Sequence, residues 1–190
     1  MVSPDDITAA LNMMANETAK DLVPALQKVM DNMIMKDMLP KDAMAMDPRT
    51  VEATYAQAYH HYNTGQFKEA ARLFQFLVLI DATEPKFGLG LAACHQMLEE
   101  YQNALQFYGV VEIIDPENPI PHFHSSDCYE KMGLSGAAIA ELEMTVELCG
   151  TQPHYSTMKE RALLTIKSLQ EKLPADALGK KTIDGNGEKK

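Results

Sequence analysis

The sequence predicts an all-α fold: a superhelical array of three helical-hairpin repeats, with an N-terminal helical arm and a C-terminal capping helix. Three observations support this prediction. Similar segments recur in the middle of the chain with a spacing of 34 residues. Proline-rich junctions such as 116–121 end one helix and start the next. A last segment, at about 154–173, has one apolar and one polar face, as the end of a repeat array requires.

The repeat register rests on three kinds of equivalent position. A turn residue is followed by an alanine and then, four positions later, by a large residue: Gly65, Ala70 and Phe74; Glu99, Ala104 and Tyr108; Gly133, Ala138 and Leu142. This is the spacing of tetratricopeptide repeats, helix–turn–helix units that stack because none buries its apolar face alone. We place the repeats at 51–84, 85–118 and 119–152. The concave surface of such an array binds polypeptides, so the period predicts a binding protein and no enzyme.

The repeat region, 49–152, is flanked by segments of different character. Residues 1–48 form the arm and a linker; helical spacing of apolar residues covers 5–39, and Pro40 to Pro48 is the linker. The arm is rich in methionine, which suits adaptable contact surfaces, although packing against the first repeat is the alternative. Residues 153–173 form the capping helix, and the glycine-rich, charged tail 174–190 is expected to be disordered.

Composition excludes several classes of function. The 190-residue chain has a formal net charge of −10, which argues against binding to nucleic-acid phosphates and to anionic membranes. The N-terminus lacks the charge pattern of a signal peptide, and no apolar stretch is long enough to span a bilayer. The three cysteines lack close pairing and indicate a reducing compartment. We therefore expect a cytosolic protein.

No cofactor, metal or catalytic site is predicted. Gly88 to Ala93 fits the dinucleotide fingerprint G-x-G-x-x-A, but the βαβ context is missing and small residues there let helices approach closely. His122, His124 and Cys128 could suggest a metal, yet no HExxH or paired CxxC accompanies them. Nucleophile–base patterns are also missing.

Three tyrosines mark a candidate binding face. Tyr55, Tyr59 and Tyr62 share one side of the first helix of repeat one, which in this register faces the groove. The alternative is that some of them pack against the N-terminal helix. Tyrosine offers a large contact area and a polar tip, which suits an extended peptide. Tyr55 and Tyr59 stand where repeat proteins that clamp a terminal carboxylate need polar or basic residues, so we expect a preference for apolar ligand side chains.

Three runs resemble the class II chaperones of bacterial type III secretion, the SycD, LcrH and IpgC proteins. These are the runs 55–67 (YAQAYHHYNTGQF), 87–96 (FGLGLAACHQ) and 121–128 (PHFHSSDC). The resemblance covers about 50–150 and implies three tandem repeats. The chain departs from the family in its longer methionine-rich arm, its tail and the order of residues 87–89.

The resemblance implies a chaperone that holds two hydrophobic translocator proteins in the bacterial cytoplasm before export, with an extended translocator segment in the concave groove. Family members often dimerise through the N-terminal helices, which would give the arm a use. The groove residues implied by the register and the family together are Tyr55, Tyr59, Tyr62, Phe67, Lys86, Leu89, Ala93, Gln96, Tyr108 and Phe123. The alternative function is a general repeat scaffold that bridges folded proteins.

Overall fold

The computed structural model describes Pro24 and residues 27–172, and the regular elements of this part of the chain are all helical. The elements are α1 (27–36), α2 (Pro40–Ala43), α3 (Pro48–Asn63), α4 (Phe67–Ile80), α5 (Pro85–Met97), α6 (Tyr101–Ile114), α7 (Pro119–Lys131), α8 (Ser135–Cys149), a 3₁₀ turn (Pro153–Tyr155) and α9 (Ser156–Lys172). The start of the predicted arm and the predicted disordered tail lie outside the described residues. The described residues fall into two compact units, unit one up to Phe87 and unit two from Gly88.

In unit one, the hairpin of α3 and α4 forms the first repeat. Pro48 occupies the first turn of α3, and the Asp47 side chain accepts a hydrogen bond from the Arg49 amide at 2.9 Å, which caps the helix. The small residues Ala58 and Ala70 are fully buried and allow the two helices to approach closely.

The segment predicted as a linker contains the short helix α2, which differs from the expectation of an irregular connection. Pro40 starts this helix, and Ala43 is buried. The Lys41 ammonium forms an ion pair with Asp81 at the end of α4, and Asp81 also accepts hydrogen bonds from the amide and hydroxyl of Thr83. These contacts attach the segment to the first repeat. Proline and methionine content alone does not reveal them.

In unit two, α6 to α9 pack in sequence order, and α5 closes on α6 at a glycine. A Cβ atom at Gly88 would lie 2.7 Å from Cγ2 of Val111, so the small residue is needed for this approach. This agrees with the packing interpretation of the glycine-rich run. One hydrophobic core of the unit lies under α9, where the buried residues are Phe123, Ala138, Ile139, Leu142, Ala162 and Leu169.

The three repeat turns share one backbone geometry. Gly65, Glu99 and Gly133 have φ angles of 77°, 61° and 76°. In each turn, the amide of the following residue donates to the carbonyl five positions earlier at 2.9 Å, as in a Schellman helix ending. The positions that the 34-residue spacing makes equivalent therefore have equivalent conformations.

The histidines at equivalent repeat positions close the same turns. His61 Nδ1 lies 2.7 Å from Oε1 of Gln66, and His95 Nδ1 lies 2.6 Å from Oε2 of Glu100. Each ring thus spans the turn that follows its own helix, which explains a histidine where the repeat pattern usually has tyrosine.

Candidate functional site

The predicted binding face of unit one is an aromatic surface on α3 and the starts of α4 and α5. We call it the tyrosine patch and define it by Tyr55, Tyr59, Tyr62, Phe67 and Lys86. Tyr55 lies at its centre, because its ring stacks on Tyr59 at 6.4 Å between centroids. The Tyr55 ring also contacts two buried rings of the core, and the centroid distances are 6.0 Å to Phe74 and 5.9 Å to Phe87.

These contacts hold an exposed aromatic ring in a fixed place. Tyr59 is 54% exposed, whereas Tyr55 is half-buried and Phe74 is buried. Aromatic pairs at such distances contribute about 0.5–1.5 kcal/mol beyond their buried area. Tyr55 therefore supports the patch, and Tyr59 is the tyrosine most available to a ligand. Tyr55 packs on Phe74 of its own repeat and on Phe87 of α5, whereas the alternative placed such packing against the N-terminal helix.

A single cation borders the aromatic rings in the tyrosine patch. Lys86 Nζ lies 4.9 Å from the centroid of Tyr55 and 5.5 Å from that of Phe87, and it forms an ion pair with Glu52 at 3.3 Å. The ammonium is thereby balanced by a carboxylate and by the negative faces of two rings.

The edge of the tyrosine patch is a second aromatic pair. Tyr62, near the end of α3, contacts Phe67, the first residue of α4, with 5.5 Å between ring centroids and an angle of 65°. Both rings are half-buried. The pair spans the first repeat turn, so the turn geometry positions it.

Unit two has a cavity of about 650 Å³ on the corresponding helices of repeats two and three. We call it the Gln96 pocket; its lining is Gln96, Met97, Tyr101, Asp127, Glu130 and Lys131. The Gln96 carbonyl oxygen accepts a hydrogen bond from the Tyr108 hydroxyl at 2.7 Å, and its amide bonds to the Asp127 carboxylate. Gln96 is thereby oriented by a fully buried tyrosine beneath it. Met97, 50% exposed, supplies an apolar side chain at the rim.

Burial shapes the electrostatics of Asp127, which lines the pocket, and of His124 beside it. Burial raises the pKa of Asp127, against the lowering effect of His124 and Arg161. It also lowers the pKa of His124, whose ring stacks on Tyr108 at 5.8 Å. Burial therefore disfavours the charged forms of both side chains.

The remaining predicted residues of unit two differ in accessibility. Leu89 packs on the buried cluster around Tyr108, and Ala93 is half-buried. Phe123 is only 7% exposed and lies in the core under α9, with Arg161 over its ring at 5.2 Å. Tyr108 and Phe123 therefore support the surface from inside, because packing by neighbouring helices covers their rings.

Two lining residues of the Gln96 pocket, Tyr101 and Lys131, escaped the sequence analysis. The repeat spacing could have found Tyr101, because it stands 34 residues after Phe67. Gln96 likewise stands 34 residues after Tyr62. The pair that spans the first turn in unit one thus has an equivalent pair in unit two. Lys131 has no comparable signal, since a charged helix end is usually only solvated.

Among the described residues, no helix is both long enough and apolar enough to cross a membrane. The tetratricopeptide-repeat family model matches residues 88–118. The all-α repeat fold predicted from the spacing is therefore confirmed, and the chain is a tetratricopeptide-repeat protein.

Two known proteins and one solved structure are similar to this chain. Low calcium response locus protein H of Yersinia pseudotuberculosis is 28% identical over 123 residues, which are 65% of this chain and 73% of that protein. Chaperone protein SicA of Salmonella dublin is 27% identical over 130 residues, 68% of this chain and 76% of SicA. The Yersinia enterocolitica type III secretion chaperone SycD, in complex with a peptide of the translocator YopD, superposes with a TM-score of 0.65 at 27% identity, over 67% of this chain and 97% of that one. The resemblance to the class II type III secretion chaperones that the sequence predicts is therefore confirmed.

Proposed function

We propose that this chaperone binds hydrophobic translocator proteins in the bacterial cytoplasm through an extended segment near their N-terminus. The tyrosine patch of unit one contacts that segment, and the Gln96 pocket is a separate candidate contact within unit two. The observation that carries the proposal is the fixed, 54% exposed ring of Tyr59, supported by Tyr55 on the repeat core. The SycD complex with a YopD peptide supports it, because a similar chain binds a translocator segment.

The physical logic requires binding and no chemical step. Translocator segments that insert into membranes would aggregate or insert early in the cell, and a bound chaperone stabilises the unassembled state by mass action. An extended ligand presents alternate side chains to separate pockets, which suits aromatic contacts in one unit and a mixed pocket in the other. Rigid aromatic side chains bind at low entropic cost because they have few rotatable bonds. We accordingly infer no catalytic activity.

The test is a substitution at the most exposed ring. Tyr59→Glu places a charge where an apolar ligand side chain would be desolvated. If Tyr59 is a binding hot spot, its loss costs about 2 kcal/mol or more, which is about 30-fold in affinity. The matched control is Phe76→Glu, because Phe76 is also an exposed aromatic (40%) but lies on α4, the second helix of the same repeat.

The tagged chain and both variants would be used to capture partners from the native cytosol, with identification by mass spectrometry. Overlapping synthetic peptides of any recovered translocator would then give affinities by fluorescence polarisation. We expect proteins with membrane-spanning segments to bind the parent chain and Phe76→Glu, and not Tyr59→Glu, with circular dichroism unchanged. Normal binding by a folded Tyr59→Glu variant would refute the assignment. Recovery of soluble folded partners alone, unaffected by the substitution, would indicate a repeat scaffold instead.

We also propose that the methionine-rich arm forms a homodimer contact. Within α1, Met30, Ile34 and Met35 are 58%, 73% and 82% exposed, which leaves a large apolar surface without cover among the described residues. Ile34→Lys should lower the molar mass measured by light scattering during gel filtration. Leu79→Lys is the control, because Leu79 is equally exposed at 72% but lies on α4. A dimer that persists in Ile34→Lys would contradict the proposal.

A further inference from the structure

Three metal-ligating side chains from three consecutive helices meet in unit two, away from the Gln96 pocket. They are Glu112 on α6, His122 on α7 and Glu141 on α8, and their ligand atoms lie within 4.8 Å of one another. His122 Nδ1 is 2.8 Å from Glu141 Oε2 and 3.5 Å from Glu112 Oε1. The side chains are mostly shielded from solvent, with 13% exposure for His122 and 22% for each glutamate.

The distances suit a small divalent cation. A tetrahedral zinc ion with Zn–N and Zn–O bonds of about 2.1 Å separates neighbouring ligand atoms by about 3.4 Å. The separation of His122 and Glu112 is already 3.5 Å. The 2.8 Å contact between His122 and Glu141 must open by about 0.6 Å, which a rotation of the flexible glutamate side chain can supply.

The charge at this cluster also favours a cation. Two carboxylates share one imidazole, so the cluster is doubly negative when His122 is neutral. Burial raises the pKa of Glu112, and the nearby Glu141 carboxylate raises it further, against the lowering effect of His122. The same two carboxylates, after burial, raise the pKa of the Tyr129 hydroxyl. The Ser125 hydroxyl donates to Glu112 Oε1 at 3.3 Å and orients that carboxylate.

We propose that Glu112, His122 and Glu141 bind one divalent transition-metal ion of the zinc type, with the fourth position taken by water. Such an ion accepts both imidazole nitrogen and carboxylate oxygen as ligands, whereas calcium needs six to eight oxygen ligands. The ion joins α6 of repeat two to both helices of repeat three. None of the three ligands lines the Gln96 pocket.

This donor set differs from the one that the sequence raised and set aside. His124 stacks on Tyr108, and burial raises the pKa of the Cys128 thiol to about 11. Neither side chain belongs to the cluster around His122. The ligands stand 10 and 19 positions apart in the chain, so no local motif reveals them.

The test is calorimetric titration of the full chain with zinc chloride at pH 7.5, after removal of bound metal with EDTA. We expect one site, with at least a tenfold loss of affinity in His122→Gln and in Glu141→Gln. Glu143→Gln is the matched control, because Glu143 lies on the same helix two positions away and is exposed. Zinc should also raise the melting temperature of the parent chain and of the control by several degrees, and not that of Glu141→Gln.

Two results would overturn the proposal. One is the absence of binding by the parent chain at a zinc concentration of about 10⁻⁴ M, which corresponds to a weak affinity for a protein site. The other is unchanged binding by Glu141→Gln. If a variant fails to fold, the parent chain alone still provides a test by NMR. Zinc should then shift the imidazole nitrogen resonances of His122 in NMR spectra and leave those of His124 in place. If His122 does not shift, the cluster is an ion-pair network only.

Discussion

Gly88→Ala should destabilise the chaperone, although alanine is the better helix former. The added Cβ would lie 2.7 Å from Cγ2 of Val111, a fully buried and conformationally stiff side chain. Carbon atoms normally approach to about 3.5–4.0 Å, so the overlap is about 1 Å. Overpacking of this kind costs about 1–3 kcal/mol, against a gain of about 0.8–1 kcal/mol from helix propensity.

The matched control is Gly109→Ala in the neighbouring helix α6. A Cβ there has no atom within 4 Å, so the substitution keeps the propensity gain without the overlap. Urea unfolding followed by circular dichroism should place Gly88→Ala about 1–3 kcal/mol below Gly109→Ala. The double variant Gly88→Ala, Val111→Ala should recover part of the loss, because the second change makes room for the new methyl group. Equal stability of the two glycine variants would refute the packing argument.

Three further predictions concern buried polar and thiol groups. Tyr108→Phe removes the donor to Gln96 and should lower the free energy of unfolding by about 1 kcal/mol, measured by urea titration; no change would show that the hydrogen bond is replaced by water. Burial raises the pKa of the Cys94 thiol to about 12 and that of the Cys128 thiol to about 11. Alkylation of the three thiols, on Cys94, Cys128 and Cys149, should therefore be slow at pH 8 in the folded chain and fast in urea, as read by mass spectrometry. Burial opposes ionisation of Asp81, but hydrogen bonds from Lys41 and Thr83 outweigh it and lower its pKa below 3.8. Asp81→Asn should therefore cost about 1–2 kcal/mol at pH 7, and the cost should fade as the pH drops through the folded-state pKa; a pH-independent cost would contradict the ion-pair account.

The repeat spacing predicted what depends on local backbone conformation. Gly65, Glu99 and Gly133 were equated from sequence, and their positive φ angles agree although one of them is glutamate. The 34-residue spacing also equates the buried residues Phe74, Tyr108 and Leu142, but it does not show which groove residues stay accessible, because neighbouring helices decide that. Phe123 occupies a groove-facing register position and the resemblance implies Tyr108 as a groove residue, yet both rings lie inside the unit.

The same reasoning explains the other differences. Helix α2 escaped prediction because it is four residues long and depends on the distant contact between Lys41 and Asp81. The cluster around His122 escaped because its three ligands come from separate helices, and only tertiary packing brings them together. Patterns of neighbouring residues predict elements, whereas contacts between elements need the folded chain.

The left-handed conformation of Glu99 has a consequence for the rates at which backbone amides exchange with solvent. A non-glycine residue with φ of 61° stores about 1 kcal/mol that the glycines at the other two turns do not. This strain lowers the free energy of local opening, and 1 kcal/mol corresponds to about a fivefold change in rate. The amides that close this turn, on Glu99 and Glu100, should therefore exchange deuterium about fivefold faster than their equivalents on Gly133 and Leu134. Of the three repeat turns, the one at the end of α5 should therefore open most readily.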